Sequence, residues 1–351
     1  MIKFLPFAVV VLTLASCSEF NKRRNNETWA TGKPGQVLVV CTDELWQSSE
    51  LDSFFFEISP AEAPYYPFEY AFKFNQKNVA GFNSNYKSTR NILIIEKHDE
   101  AEYTPVKVNI LRNKWVKGQV VVEVFFNNVK DINKISKADL NAITQAFEEA
   151  EIDRYVKHFN SKSNASVKSI LQAKYGLTFD FPVGVDVLND VDDFMRFDIP
   201  DRSREMPLDG GADVQTSKAN FILSSVLIWQ QDYTMPEQLT MMNLLDFQDT
   251  ILKKYAPHEK KGAYLATEYD TLVYPISQTL PINGVDMVEI KGQYRIRGRS
   301  DVFMGGPFVS YSFVNPKTNK IVTVFGMVHG PSEPLLTYIR EHKALVRTLK
   351  I

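Results

Sequence analysis

Apolar positions fall along this chain in two rhythms: short continuous runs of strand length, and runs spaced three and four residues apart. Gln36 to Cys41 is a continuous apolar run and predicts a buried strand. Thr42 caps a helix whose first turn holds Asp43 and Glu44, where the helix dipole favours acids. Leu51, Phe54, Phe55 and Ile58 repeat at helical spacing until Pro60 stops them. Residues 60–90, with Pro60, Pro64, Pro67 and Tyr65-Tyr66, read as loop around one strand at Phe68–Phe74. Strands follow at Asn91–Glu96, Val106–Leu111 and Gly118–Phe126, the last two joined by a hairpin turn at Asn113 to Gly118. Ser136 and Asp139 form a capping box for a helix that carries Leu140, Ile143, Phe147 and Ala150 and runs to about Phe159.

A polar stretch, Ser161 to Ser166, marks the internal boundary. Val167, Ile170 and Leu171 predict a short helix closed by Gly176, where a left-handed residue is wanted. Two or three strands lie between Leu177 and Ile199, and Pro200 to Lys218 is a surface loop. Ala219–Trp229 reads as a strand, followed by a helix from Thr234 to Tyr255. Strands are expected at Tyr269–Ile276, Val285–Arg297, Phe308–Val314 and Ile321–Val328, and Ser332 opens a final helix through Leu336, Ile339, Val346 and Leu349. The predicted class is α+β. Each half reads strand, helix, strands, hairpin, helix, which suggests a duplicated unit with two mainly antiparallel sheets covered by helices. The expected organisation is a leader at 1–16, a tether at 17–35 and α+β halves at 36–160 and 161–351.

The N-terminus changes this picture. Lys3 precedes an apolar run from Phe4 to Leu14, which suits a secretory leader and is shorter than the ~20 residues a bilayer span needs. Leu14-Ala15-Ser16-Cys17 resembles the lipobox of bacterial lipoproteins, which implies cleavage before Cys17 and acylation of its sulfur. Only Cys41 then remains, so no disulfide forms within the mature chain, and Cys41 itself reads as a small buried hydrophobe. The net charge of −2 offers no basic face for nucleic acid. Hydrophobic content of 44% suffices for a large core, and the 12% aromatic content serves core filling or carbohydrate stacking.

Candidate chemistry is sparse. Met304-Gly305-Gly306-Pro307-Phe308 enters a strand, and its glycines admit either a close ligand or a sheet corner, so these residues form a candidate ligand site. Asp180, Asp186, Asp190, Asp192, Asp193, Asp198 and Asp201 crowd one region without the spacing of an EF-hand loop, so no metal is expected there. Ser84-Asn85-Tyr86-Lys87 matches the serine and lysine spacing of acyl-enzymes but lies in a polar loop without the partner motifs. The histidines at 98, 158, 258, 329 and 342 stand singly, without zinc-ligand spacing. No catalytic residue and no cofactor can be named.

Gly262 to Glu268, Val288 to Gly292 and Phe303 to Tyr311, taken with the lipobox, the Trp46 segment and the terminal helix, resemble the Bacteroidetes lipoprotein family of domain of unknown function 4837. The resemblance spans nearly the whole mature chain and implies an outer-membrane lipoprotein. Surface-exported lipoproteins of that phylum carry an acidic tract after the cysteine. Here Lys22-Arg23-Arg24 stand with Glu19 the only early acid, which favours a periplasm-facing molecule. Asp270-Thr271-Leu272 resembles the phylum's O-glycosylation triplet and makes Thr271 a candidate acceptor; Asp249-Thr250-Ile251 also matches but falls in a predicted helix. The expected function is a non-catalytic binding or scaffolding module whose partners are the membrane, through the lipid, and envelope proteins or glycans. The alternative is a glycan-processing enzyme using carboxylates brought together only in space.

Overall fold

The computed structural model describes residues 28–98, 106–200, 222–330 and 334–351. The leader, Cys17, most of the tether, residues 201–218 of the expected surface loop with Asp201, the first three residues of the expected strand Ala219–Trp229, and Ser332 lie outside the described residues. Two compact units emerge, one comprising residues through Ile58 with Lys73–Ala150, the other Ser59–Phe72 with Glu151–Ile351. The units therefore part at 150/151, inside a helix, rather than in the polar stretch at 161–166.

In the first unit, strands β1 (Gln36–Cys41), β2 (Lys73–Asn78), β3 (Asn91–Lys97), β4 (Val106–Arg112) and β5 (Val120–Phe126) form one sheet in the order β2-β1-β3-β5-β4. The pairs β1–β2, β1–β3 and β3–β5 are parallel, and only β4–β5 is antiparallel. This corrects the expectation of a mainly antiparallel sheet. Parallel pairing needs a crossover between strands, and the chain supplies one after β1 in α1 (Asp43–Trp46) and α2 (Ser49–Ile58). Thr42 caps α1 through a bond from Leu45 N at 3.3 Å, and Ser48 starts α2 by accepting from Leu51 N at 3.3 Å, so the single predicted helix is two. Phe55 of α2 stacks on Phe74 of β2 at 4.3 Å, which places the helices on the face shared by Val37, Val39 and Phe74. The strand expected at Phe68–Phe74 begins instead at Lys73. The long α3 (Lys137–Ser161) carries the expected cap, with Asp139 N donating to Ser136 Oγ at 3.1 Å.

In the second unit β6 (Asp186–Val191), β7 (Phe194–Ile199), β8 (Leu223–Asp232), β9 (Tyr264–Thr267), β10 (Ile276–Ile282), β11 (Val285–Arg297), β12 (Gly305–Asn315) and β13 (Lys320–His329) make a wholly antiparallel sheet. Its order is β10-β11-β12-β13-β8-β7-β6, with β9 also on β11. This order differs from that of the first sheet, so the expected duplication is not present. The predicted strand at Tyr269–Ile276 is a turn between β9 and β10, in which the Asp270 carboxylate accepts Leu272 N at 2.9 Å.

Both faces of the central strands β8, β12 and β13 are buried. Val226 and Ile228 of β8 meet α4 (Ala165–Tyr175) and α6 (Leu336–Val346) in one core, which also takes Ile152, Tyr155 and Phe159 from α3. Leu227 and Trp229, on the alternate side, join Leu245 and Leu252 of α5 (Met241–Tyr255) in the other. Gly176 closes α4 at φ 69°, as its position predicts. Gly326 lies so close under α6 that a β-carbon there would stand 2.5 Å from the His342 ring. Ser59–Phe72 folds as a hairpin, closed by Phe72 N to Ser59 Oγ at 2.7 Å and Glu62 N to Glu69 O at 2.9 Å. Its Tyr65 hydroxyl donates to the Phe308 carbonyl at 3.2 Å, inside the second unit's core. Arg340 donates to Ala71 O at 2.7 Å and lies 5.2 Å over the Phe72 ring.

Candidate functional site

The other face of the first sheet carries Leu38, Val40, Ile92, Ile94 and Val121, and the side chains packed on it come from strands and loops, Phe82 and Trp115 among them. Lysines gather at these aromatic rings. Lys114 Nζ stands 4.8 Å and Lys87 Nζ 5.5 Å from the Trp115 ring centre, while Phe82 packs against the same indole at 5.9 Å. Lys77 Nζ lies 4.6 Å over Tyr86. A ring's negative face attracts an ammonium, so the rings hold these cations in place. Lys114 also pairs with Glu123 of β5. The site thus brings together three ammonium groups and one carboxylate on a partly exposed surface.

A buried amide fixes the loops that present these groups. Gln119, 1% exposed, donates from Nε2 to the carbonyls of Lys87 and Thr89, both at 2.7 Å, and accepts Trp115 N at 3.1 Å through Oε1. One side chain therefore ties the turn before β3 to the turn before β5. Asn113 at φ 56° and Gly118 at φ 72° bend that second turn, with Gly118 N donating to Asn113 Oδ1 at 2.6 Å. Buried polar networks satisfied in this way rigidify what they connect. No motif announces the site. A charge asymmetry does: residues 73–90 hold Lys73, Lys77, Lys87 and Arg90 and no acid, whereas 42–58 hold Asp43, Glu44, Glu50, Asp52 and Glu57 and no base.

The residues singled out in the sequence land elsewhere. Met304 precedes β12 and Gly305, Gly306, Pro307 and Phe308 open it; Phe308 is wholly buried. A β-carbon at Gly306 would fall 2.0 Å from the Val328 carbonyl, and one at Gly305 2.7 Å from that of Tyr294, so strand backbone occupies the approach these glycines allow. His329 Nδ1 lies 2.9 Å from the Gly305 carbonyl. Thr271 is exposed in its turn, and Thr250 bonds back to the Asp246 carbonyl within α5 at 3.0 Å. The aspartates are dispersed among separate partners. Asp180 pairs with Lys168 and Lys350, Asp190 with Lys174, Asp192 with Tyr255, Asp193 with Gln230, and Asp198 with Ser225 and Arg196. Among the described residues no three metal-ligating side chains gather. Ser84 is exposed, while the lysine of its motif, Lys87, lies over Trp115. Cys41 is fully buried, and burial, with the Asp43 charge beside it, pushes its thiol up to about 11.

Comparison with known proteins places this geometry beside uncharacterised families. Residues 30–160 match the family model of one domain of unknown function, DUF8532, which covers the lysine and aromatic face. The Trp46 segment therefore falls in this match, and the resemblance to domain 4837 is confined to the later residues. No curated protein matches the sequence. Among solved structures, the Ran-binding protein Mog1p of Saccharomyces cerevisiae is 13% identical over 50% of this chain and 92% of its own, with a TM-score of 0.30. A Bacteroides thetaiotaomicron VPI-5482 protein is 10% identical over 50% and 44%, with a TM-score of 0.24. Human STARD10 is 9% identical over 52% and 80%, with a TM-score of 0.21. Residues 164–348, more than half of the chain, match the family model of a second domain of unknown function, and the chain belongs to that family, DUF4837.

Proposed function

We propose that this chain is a non-catalytic binding module of the cell envelope, lipid-anchored through Cys17 at the outer membrane and facing the periplasm, and that its first unit binds an acidic carbohydrate. The observation that carries the glycan reading is the pair of lysines held at Trp115. Lys87 and Lys114 lie within 5.5 Å of one ring, and Glu123 is the acid paired there. An anion entering this surface meets charges already positioned by the rings and by Gln119, which lowers the entropy cost of binding. Tyr86 and Trp115 add apolar area suited to the C–H face of a sugar ring. The lipid supplies the address: two acyl chains hold a protein at a bilayer without a spanning helix.

The alternative, a carboxylate-dependent glycan enzyme, needs an acid whose proton is held more tightly than usual. Glu62, Asp131 and Asp301 are held below the usual carboxylate range by neighbouring bases, so none of these three is such an acid. Calorimetric titration of the full chain with polygalacturonate, against neutral dextran, tests the proposal. Saturable binding to polygalacturonate alone, weakened by salt and reduced about tenfold by Trp115→Ala or Lys87→Glu, is expected. Equal binding to both polymers, or to neither, would overturn it. The anchor is tested separately, since Cys17→Ala should abolish labelling by a fatty-acid analogue.

A further inference from the structure

Two loops meet at one end of the second unit, the one joining α5 to β9 and the one joining β11 to β12. Gly298, at φ +85°, is so near the first loop that a β-carbon there would fall 2.1 Å from the Gly262 carbonyl. Lys260 Nζ reaches the Asp301 carboxylate across the gap at 3.4 Å. Asp301 in turn holds Arg299 by two bonds of 2.8 and 2.9 Å, which fixes the guanidinium at the surface. Two residues after Asp301 comes Phe303, 92% exposed, the most exposed large apolar side chain among the described residues. The two loops hold Lys260, Lys261 and Arg299 against Glu259 and Asp301, while Arg295 and Arg297 of β11 pair with Glu268. The end of the unit is thus an aromatic tip set in an excess of bases.

We propose that this tip docks on an anionic lipid surface, with Phe303 entering the boundary between head groups and acyl chains while Lys260, Lys261 and Arg299 meet the phosphates. The charge pattern selects this occupant. A bilayer interface places a negative plane directly above an apolar layer, and a protruding ring collared by long basic side chains matches that order in depth. A soluble acidic polymer would meet the bases and leave Phe303 in water. The inference concerns the second unit, and it stands or falls independently of glycan binding by the first.

An environment-sensitive dye on Phe303→Cys, in the full chain carrying Cys17→Ala, reads the contact, because Cys41 is fully buried. Mixed with phosphatidylcholine vesicles containing phosphatidylglycerol, the dye should shift to the blue and brighten about twofold or more, and doxyl-labelled lipids should quench it. Phosphatidylcholine alone should leave it unchanged. Charge reversal by Lys260→Glu with Lys261→Glu should remove the response, while an unchanged thermal transition shows that this variant is folded. A response absent from both vesicles, equal in both, or retained after charge reversal overturns the proposal.

Discussion

The carboxylate of Glu69 accepts the backbone N–H of Leu335 at 2.7 Å and of Leu336 at 3.1 Å, so a hairpin 266 residues upstream caps α6. Leu335 has no side-chain oxygen to serve its own helix, and the imported carboxylate answers both the orphan N–H groups and the helix dipole. Glu69→Ala should lower stability by about 1 kcal/mol, read from urea denaturation. Glu69→Gln, which keeps an acceptor and loses the charge, should cost less.

Glu62, from the same hairpin, lies 2.7 Å from Lys291 and 3.6 Å from Lys343. Burial would raise its carboxyl, but the two ammonium groups, with Arg340 beyond, pull it below the usual range. A folded-state value below the unfolded one means stability that is complete above about pH 4.3 and lost as pH falls through the lowered folded value. Glu62→Gln should flatten the acid limb of the stability curve. At neutral pH it should cost about 2 kcal/mol, because the lysines lose their partner.

His342 titrates with the opposite charge logic. Ser224 Oγ lies 3.0 Å from its Nε2, and burial alone drives its folded value down to about 3. Between that value and the unfolded value of about 6.5, only the unfolded chain takes the proton, so stability falls as the solution is acidified through this window. His342→Gln should remove that slope. Urea midpoints measured from pH 7 to pH 4 provide the comparison with the parent chain.

Gly326 has no room for a side chain, since a β-carbon would stand 2.5 Å from both Cγ and Nδ1 of His342. Gly326→Ala should destabilise the second unit by about 1–3 kcal/mol through overpacking. Coupling it with His342→Ala should recover part of that loss, and a double-mutant cycle that is strictly additive would contradict the contact.

In the first unit, Gln119→Ala should free the two loops that present Lys87 and Trp115 and cost about 1–3 kcal/mol. The indole emission of Trp115 should change with it.

What was legible in the sequence was local. Thr42, Ser136 and Gly176 mark helix ends because capping is chemistry between near neighbours, and the Asn113 and Asn315 turns mark hairpins for the same reason. The unbroken apolar runs of β1, β3 and β5 show burial on both faces, but an apolar residue does not record whether its partner strand runs parallel or antiparallel. β8, β12 and β13 are just as continuous and lie in an antiparallel sheet, buried on its second face by α5. The charge asymmetry of residues 73–90 marks the basic segment of the lysine and aromatic face, but not the rings and lysines that meet there. Lys77 comes from β2, Tyr86 and Lys87 from the turn before β3 and Trp115 from the turn before β5, and no spacing rule joins them.

The hairpin of Ser59–Phe72 also sets an order of events in biosynthesis. It is made long before the residues that Glu69 caps, the first of which follows it by 266 residues. Tyr65 and Glu62 likewise wait for Phe308, Lys291 and Lys343. Closing so long a loop is entropically costly before its contacts can reward it. The second unit therefore cannot complete itself before α6 has been made.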